Sequence, residues 1–401
     1  MPHTIYLLSL VSFFNDVASD MVIPLLPLLL AGPAGGGALA LGVIEGSADA
    51  VASMMRLWSG RRSDRSGGQR KPLALAGYAL SNLVRPLLGL MPTWWGMLAL
   101  RAVDRVGKGV RSAPRDALLA DLVPAARRGA AFGVHRAFDN AGAVLGALAA
   151  AWVLSFPGAD VRAVVLWSAL PGVIAVLLLA FAVREPGHAK TLAAGACAGT
   201  GAQQEAPGVD VLAAPPPALR AYLRALLLFA LSRASETFIV LRGHELGMAP
   251  ASLLVLWAGL NAAKALTAHL GGGWADGHGR LQVLRLSWAG NVATAAALAW
   301  APGALALCVV SLLGSLPVGL GEGAERAHVA DLAPATQRGT AYGWYNLTTG
   351  VAAIPAGLVF GGLWQYAGAP VAFCAAAVIG GLALWLLPGN PPAVATVRTP
   401  A

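Results

Sequence analysis

ADLVPAARRGAAFG, residues 120–133, returns as ADLAPATQRGTAYG at residues 330–343, an offset of 210 positions. A second pair stands in an equivalent place: Gly60 and Asp64 match Gly272 and Asp276 at an offset of 212. Two local matches at nearly one offset identify two related halves in one chain. Between them, residues 185–220 are rich in Gly, Ala and Pro, end in Pro215-Pro216-Pro217 and hold no periodic apolar face. Such a stretch reads as a flexible linker.

Outward from the repeat, the chain is a series of apolar runs. Hydrophobic residues make up 57% of the 401 and charged residues only 12%, with a mean hydropathy of +0.65. Soluble domains carry about 25% charged residues. Crossing about 30 Å of hydrocarbon takes about 20 apolar residues in a helix. Spans are expected near 5–31, 39–59, 72–91, 94–117, 129–155, 161–183, 221–246, 250–272, 281–300, 304–327, 338–363 and 368–387. The fold class is therefore an all-α integral membrane protein of twelve transmembrane helices. It divides into a six-helix half (1–184), a cytoplasmic linker (185–220), a second six-helix half (221–390) and a tail (391–401). Two parallel six-span halves are an arrangement known among secondary transporters.

A formal charge of +9 would suit a nucleic-acid binder, but the basic residues sit in short clusters between apolar runs. Arg61, Arg62, Arg65, Arg70 and Lys71 follow span two, Arg127 and Arg128 span four, Arg184, Lys190 and Arg220 span six, Arg280 span eight and Arg338 span ten. The alternate loops at 32–38, 92–93, 301–303 and 364–367 hold no Lys or Arg. By the positive-inside rule both termini are expected in the cytoplasm, with the chain in the cytoplasmic (inner) membrane. Residues 1–4 lack a basic n-region and an A-x-A site, so the first apolar run is expected to be a retained span. Cys197, Cys308 and Cys374 have no metal-type spacing and form no disulfide framework.

Ionisable groups inside a span are costly, which makes each a functional hypothesis. Span one carries Asp16 and Asp20 on one face with Ser12 and Ser19; span two carries Glu45 and Asp49, with Arg56 two turns on. Four carboxylates on adjacent helices cannot all ionise cheaply in a low dielectric, and this makes them the candidate proton-coupling set. For Glu45, near the end of its span, a structural role stands beside the functional one. In span four, Arg101, Asp104, Arg105, Lys108, Ser112, Arg115 and Asp116 share about a third of the helix circumference. Such a stripe lines a cavity or pairs with neighbouring helices; Arg115 and Asp116 read as headgroup-level residues. Span five adds His135, Arg136 and Asp139. The second half offers Arg233 and Glu236 (i, i+3), Asn261 with Lys264, Asn291, and Glu322 with Arg326. Glu322–Arg326 reads as a self-neutralised structural pair, and Arg233–Glu236 admits the same reading. Candidate solute contacts are thus Arg101, Asp104, Arg105, Lys108, His135, Arg136, Asp139, Arg233, Glu236, Asn261 and Lys264. Polar chemistry is expected mainly in the first half, with shape and aromatic surface, Trp257 included, from the second.

The twelve spans, the long central loop and the loop GRRSDRSGGQRK (60–71) resemble the major facilitator superfamily. Gly60, Asp64, Arg65, Gly67, Arg70 and Lys71 follow that family's loop signature between spans two and three, with one extra residue before the basic pair; GWADGHGR (273–280) is its degenerate second copy. Arg101 matches the buried arginine of another family motif. Gly142 and Gly146 partly resemble the glycine-rich motif of proton-coupled exporters, with Ala147 where Pro is usual. The stretches GKGVRSAPRDALLAD and RRGAAFGVHRAFDNAG look like a bacterial, efflux-like subgroup. The resemblance implies two pseudo-symmetric halves working by alternating access. It also implies a gating loop of Gly60, Asp64, Arg65, Arg70 and Asp276 that latches helix ends through charges such as Asp121.

Enzymatic readings fail: Arg-Val-Gly-Lys-Gly (105–109) lacks Walker spacing, Gly243-His244-Glu245-Leu246 has no second His, and no nucleophile elbow is present. No cofactor or metal is implied. The expectation is a monomeric secondary transporter whose partners are the bilayer, protons and a small organic solute, working as a proton-coupled exporter. Its rivals are an importer or exchanger of a phosphate- or carboxylate-bearing anion, for which the cations of span four argue, and a non-transporting membrane receptor.

Overall fold

The computed structural model describes residues 3–32, 35–65, 70–122, 128–183, 215–233, 235–332 and 338–388. Within these, the side chains of 57, 60–61, 63–65, 117, 120–121, 128–133, 269–273, 275–278, 327, 330 and 338–340 lie outside the description. All regular structure among the described residues is helical. The spans run His3–Ala31, Gly37–Arg65, Lys71–Leu90, Trp94–Asp121, Arg128–Leu154, Val161–Ala182, Pro217–Glu245, Pro250–His278, Arg280–Ala299, Ala304–Asp331, Arg338–Ala367 and Ala369–Leu386.

Nine helices among the described residues are long and apolar enough to cross a membrane. The other three fail that measure for visible reasons. Span four carries the charged stripe, span nine is diluted by Arg280, Gln282, Arg285 and Asn291, and span seven is broken. An unbroken helix over 221–246 is the sequence expectation; instead Pro217–Ser232 stops and Thr237–Glu245 restarts. Arg233 between them is extended, at φ −77° and ψ 97°. Ser235 braces the restart: its Oγ accepts from the Thr237 amide at 3.4 Å and from the Thr237 hydroxyl at 2.8 Å. Backbone freed at membrane depth is tolerated where it lines a cavity, and the polar run Ser232, Arg233, Ser235, Glu236 does so. Span one is interrupted at the equivalent point, its first helix ending at Asp20 before a turn of 3-10 helix at Ile23–Leu25. Asp20 and Ser232 are 212 positions apart, the offset of the glycine–aspartate repeat.

The start of span seven also differs from expectation. Its helix begins at Pro217, inside the predicted linker. Proline suits that first position, where the missing N–H has no helical partner in any case. Residues 184–214, the rest of that linker, lie outside the described residues, as does the tail beyond 388.

Three cores hold the bundle. At the end bearing the short loops 32–36, 91–93, 247–249 and 300–303, one core joins both halves: Leu25, Leu26, Leu41 and Ile44 cluster with Phe238, Leu253, Trp364 and Phe373. At the opposite end, where His3 begins span one and Leu386 ends span twelve, each half keeps its own core. Ile5, Leu8, Tyr78 and Leu118 form one, and Tyr222, Leu226, Trp288 and Val329 the other. The halves meet through spans two and eleven and through spans five and eight. At the first crossing a Cβ on Gly42 would overlap the carbonyl of Gly357, and one on Gly357 the carbonyl of Gly42. The outer surface is apolar, with Leu83, Phe181 and Leu305 exposed, and Trp300, Tyr366 and Trp385 stand exposed near helix ends, where amphipathic rings favour the membrane interface.

Candidate functional site

Between the halves lies a cavity of about 550 Å³. Its wall comes from span two (Glu45, Asp49, Arg56), from the break of span seven and the residues flanking it (Ser232, Arg233, Ser235, Glu236, Phe238) and from spans eight to twelve. The second half therefore supplies most of the wall, with charged and polar groups as well as aromatic ones, against the expectation that its part would be shape. Glu322 and Arg326 form no ion pair, contrary to the sequence reading, and neither do Arg233 and Glu236. The break in span seven takes the latter two off a common helix face. Arg233 instead meets Glu325 at 3.9 Å, and Glu236 meets Lys264 at 2.7 Å. Of the candidate contacts in span eight, Lys264 thus stands behind the wall. Asn261 donates to the Trp257 carbonyl of its own helix at 3.0 Å.

The charges of span four go inward. Arg101, Asp104 and Arg105 are all buried. The Asp104 carboxylate meets Arg101 at 3.2 Å, Arg105 at 3.6 Å and Arg85 of span three at 3.2 Å. Arg101 reaches on to Glu45 Oε1 at 3.2 Å. Three guanidinium groups and two carboxylates thus form one ionic bolt through spans two, three and four. A charge at that depth is tolerable only with partners, and the helices supply them. Glu45 is where the bolt meets the cavity, since its second oxygen accepts from Ser235 at 3.4 Å in the break of span seven. The converse contact joins the other elements: Trp257 Nε1 of span eight donates to Asp20 Oδ1, at the break of span one, at 2.9 Å. Glu45 and Trp257 are 212 positions apart. Each half therefore sends one residue to the broken helix of the other.

A second polar cluster ties span one to spans three, four and five. His135 lies within 3.4 Å of both Ser9 and Ser12 and 3.7 Å from Asp139, which also meets Arg136 at 3.9 Å. Ser12 bonds with the Tyr78 hydroxyl at 3.0 Å and accepts from Arg115 at 2.9 Å. Arg115 also pairs with Asp116 at 2.8 Å. Asp16 accepts from Asn15 at 2.9 Å. Lys108 makes no ion pair among the described residues. None of Asp16, Asp20, Lys108, His135, Arg136 or Asp139 lines the cavity.

For the gating loop, the side chains of Asp64, Arg65, Asp121 and Asp276, and the position of Gly60 beyond its helical backbone, lie outside the description. Arg70 precedes span three, and Lys71 Nζ donates to the Ala180 and Val183 carbonyls at 2.8 and 2.6 Å, capping the end of span six. In the second half Arg280 meets Asp331 at 2.5 Å, 210 positions beyond Arg70 and Asp121.

Sequence reasoning missed Arg85, Glu325, Tyr345, Asn346 and Ser311. Glu325 is buried and accepts from Tyr222 at 3.4 Å; Tyr345, Asn346 and Ser311 line the cavity. One signal was available, because the 210 offset carries His135, Arg136 and Asp139 onto Tyr345, Asn346 and Thr349, all three in the wall.

Known proteins agree with this architecture. A family model described as Major Facilitator Superfamily matches residues 8–260 and 225–400. An uncharacterized MFS-type transporter of Methanocaldococcus jannaschii is 29% identical over 370 residues, covering 90% of this chain and 88% of that one. An uncharacterized protein of Mycobacterium tuberculosis is 30% identical over 341 residues, 83% of this chain and 79% of that one. The multidrug resistance protein MdtH of an Enterobacter species is 28% identical over 136 residues, 34% of this chain and 33% of that one. Among solved structures, a bacterial homolog to the human lysosomal transporter Spinster, inward-facing and unoccupied, superposes with a TM-score of 0.74 at 14% identity, over 96% of this chain and 94% of that one.

Proposed function

This chain belongs to the major facilitator superfamily, and from that premise we propose that it is a secondary active transporter exporting a small organic solute in exchange for protons. The observation that carries the reading is the cavity with its two reciprocal contacts, Glu45 to Ser235 and Trp257 to Asp20. Both run between the halves, and both end on a carboxylate. A proton on Glu45 weakens its hold on Arg101 and Ser235; one on Asp20 removes the charge that Trp257 holds. Protonation and the packing of one half on the other are then linked equilibria, which is what coupling requires. Asp49, exposed in the wall, gives a proton a third place to load, and Asp16 extends the set deeper into span one.

Alternating access follows from the cores. One end is closed by a core common to both halves, while the other is built from two independent ones. Exchanging which end shares a core moves the cavity's opening from one face to the other. The Lys and Arg distribution argues for cytoplasmic termini, and on that reading this arrangement is inward-open, with 185–220 as a cytoplasmic linker. Export draws further support from the partial likeness to a multidrug resistance protein. A second reading, import or exchange of an anion, rests on Arg56 and Arg326 in the same wall.

Reconstituted vesicles with an imposed pH gradient test the proposal. Flux of organic solutes should follow the gradient, and Asp20→Asn should abolish gradient-driven flux while sparing exchange of solute for solute. Flux indifferent to the gradient would overturn proton coupling.

A further inference from the structure

Resting on the transporter reading, we infer that the solute is an amphipathic organic anion, with a carboxylate or phosphate head between Arg56 and Arg326 and an apolar body on Phe238, Phe360 and Phe373. The first support is the balance of charge in the wall. It holds six charged residues: Glu45, Asp49 and Glu236 against Arg56, Arg233 and Arg326. Three are satisfied from behind, Glu45 by Arg101 at 3.2 Å, Glu236 by Lys264 at 2.7 Å and Arg233 by Glu325 at 3.9 Å. That leaves Asp49, Arg56 and Arg326. Neither guanidinium makes an ion pair among the described residues, and Glu322, one turn before Arg326, forms none with it. Asp49 is two turns from Arg56 on the same helix, about 10 Å along the axis. One acid against two arginines leaves one cation over.

The second support is where those arginines stand. Arg56 belongs to span two of the first half and Arg326 to span ten of the second, both toward the end of the wall away from the shared core. Arg326 repels the Arg56 charge, which Asp49 of its own helix and Asp116 of span four attract more strongly. Like charges from opposite halves resist closure of that end unless an anion lies between them, and a planar or tetrahedral oxyanion can accept from both forks at once. Bound anion and closed halves then favour each other.

The third support is the rest of the wall. Toward the sealed end, Phe238 packs on Phe360 at 4.7 Å and Phe360 on Phe373 at 5.3 Å between ring centroids. Trp257 has its N–H already committed to Asp20, so it offers the cavity an apolar ring. Ser311 lines the same wall, is 2% exposed, and its hydroxyl has no partner among the described residues. A buried hydroxyl beside a cavity and without a partner calls for one, and a ligand atom could supply it. The volume, about 550 Å³, falls among those of small-molecule sites.

Calorimetry on the full chain in lipid nanodiscs tests this with naphthoate, naphthylmethylammonium and naphthylmethanol, which share a ring system and differ in charge. Naphthoate should bind at least about tenfold more tightly than either, and acetate, lacking the ring, more weakly again. Arg56→Gln and Arg326→Gln should each weaken naphthoate about tenfold or more and leave the alcohol unchanged, with Arg326→Lys retaining most of the affinity. Tighter binding of the cation, native affinity in well-folded Gln variants, or no binding of any probe each overturns the anion site. Naphthoate binding without flux in vesicles overturns the transporter reading and leaves the site standing.

Discussion

Spans four and ten are the same helix twice. Trp94–Asp121 and Ala304–Asp331 each hold 28 residues, start and end 210 positions apart, and each carries one interior proline. Yet the face that reads Arg101, Asp104, Arg105 in the first half reads Ser311, Gly314, Ser315 in the second. In span four the long side chains fill the space and pair with Arg85 and Glu45. In span ten the small ones leave it open, and all three line the cavity. The same holds for spans five and eleven, where His135, Arg136 and Asp139 give way to Tyr345, Asn346 and Thr349. Duplication repeats the backbone; the side chains decide which half becomes bolt and which becomes cavity wall.

The comparison breaks most easily at Asp104. Asp104→Ala leaves Arg85, Arg101 and Arg105 with Glu45 as their one remaining anion, and removing a partner from a buried ionic network costs about 3–5 kcal/mol. Thermal melts in detergent should fall steeply, with low recovery of folded protein. Ser311→Ala, at the position matching Arg101, should leave the melt within about 0.5 kcal/mol while altering solute affinity. Equal effects of the two would mean that bolt and wall are not distinct.

How much of this was legible follows the same line. The repeat and the apolar runs located the helices closely: span eight was expected from 250 and starts at Pro250, and span four from 94 and starts at Trp94. Charges in span four announced either a cavity lining or pairing, because an unpaired charge at that depth is too costly to leave there. Arg101, Asp104 and Arg105, expected among the solute contacts, are paired with one another, Arg85 and Glu45. The span-ten face of the cavity announced nothing, since Ser311, Gly314 and Ser315 carry no charge to attract notice, whereas Glu45, Asp49, Arg233 and Glu236 in the same wall did. The break in span seven was hidden for another reason. Arg233 and Glu236 stand three apart, the spacing of a helical ion pair, inside a run that is otherwise apolar. Only the repeat, applied residue by residue, would have carried the interruption of span one onto span seven.

The two inter-half crossings give a second point of pressure. Gly42 and Gly357 meet backbone to backbone, whereas the positions matching them in spans eight and five are Leu254 and Ala147, both buried. Gly357→Val should force spans two and eleven apart, costing about 1–3 kcal/mol of overpacking and a larger share of transport. Ala147→Val should do less harm if its crossing is the looser of the two. Flux and melting temperature of both variants decide it, and equal losses would show the crossings to be equivalent.

A smaller effect is expected at the reciprocal contacts. Trp257→Phe keeps the ring and removes one hydrogen bond to a charged group, about 1.5–3 kcal/mol; Ser235→Ala removes the longer bond to Glu45, which retains Arg101. Trp257→Phe should therefore shift the pH dependence of transport more than Ser235→Ala. The reverse order would place the coupling chiefly on Glu45 rather than Asp20.

The least effect on stability is expected at the helix-end pair of the second half. Arg280 and Asp331 are 34% and 52% exposed, and pairs so open to water contribute about 0–1 kcal/mol. Arg280→Gln should scarcely move the melt. If the pair latches span nine to the end of span ten, however, its loss bears on the balance between open and closed ends rather than on folding, so transport should fall while the melt holds. The double charge reversal, Arg280→Asp with Asp331→Arg, should recover most of that loss, because the attraction survives the exchange. The same pair of experiments at Arg70 and Asp121 then sharpens the comparison between halves. Recovery by reversal at both sites would make the two latches symmetric, unlike the cavity wall. Recovery in the second half alone would assign the first-half loop a task beyond pairing with Asp121.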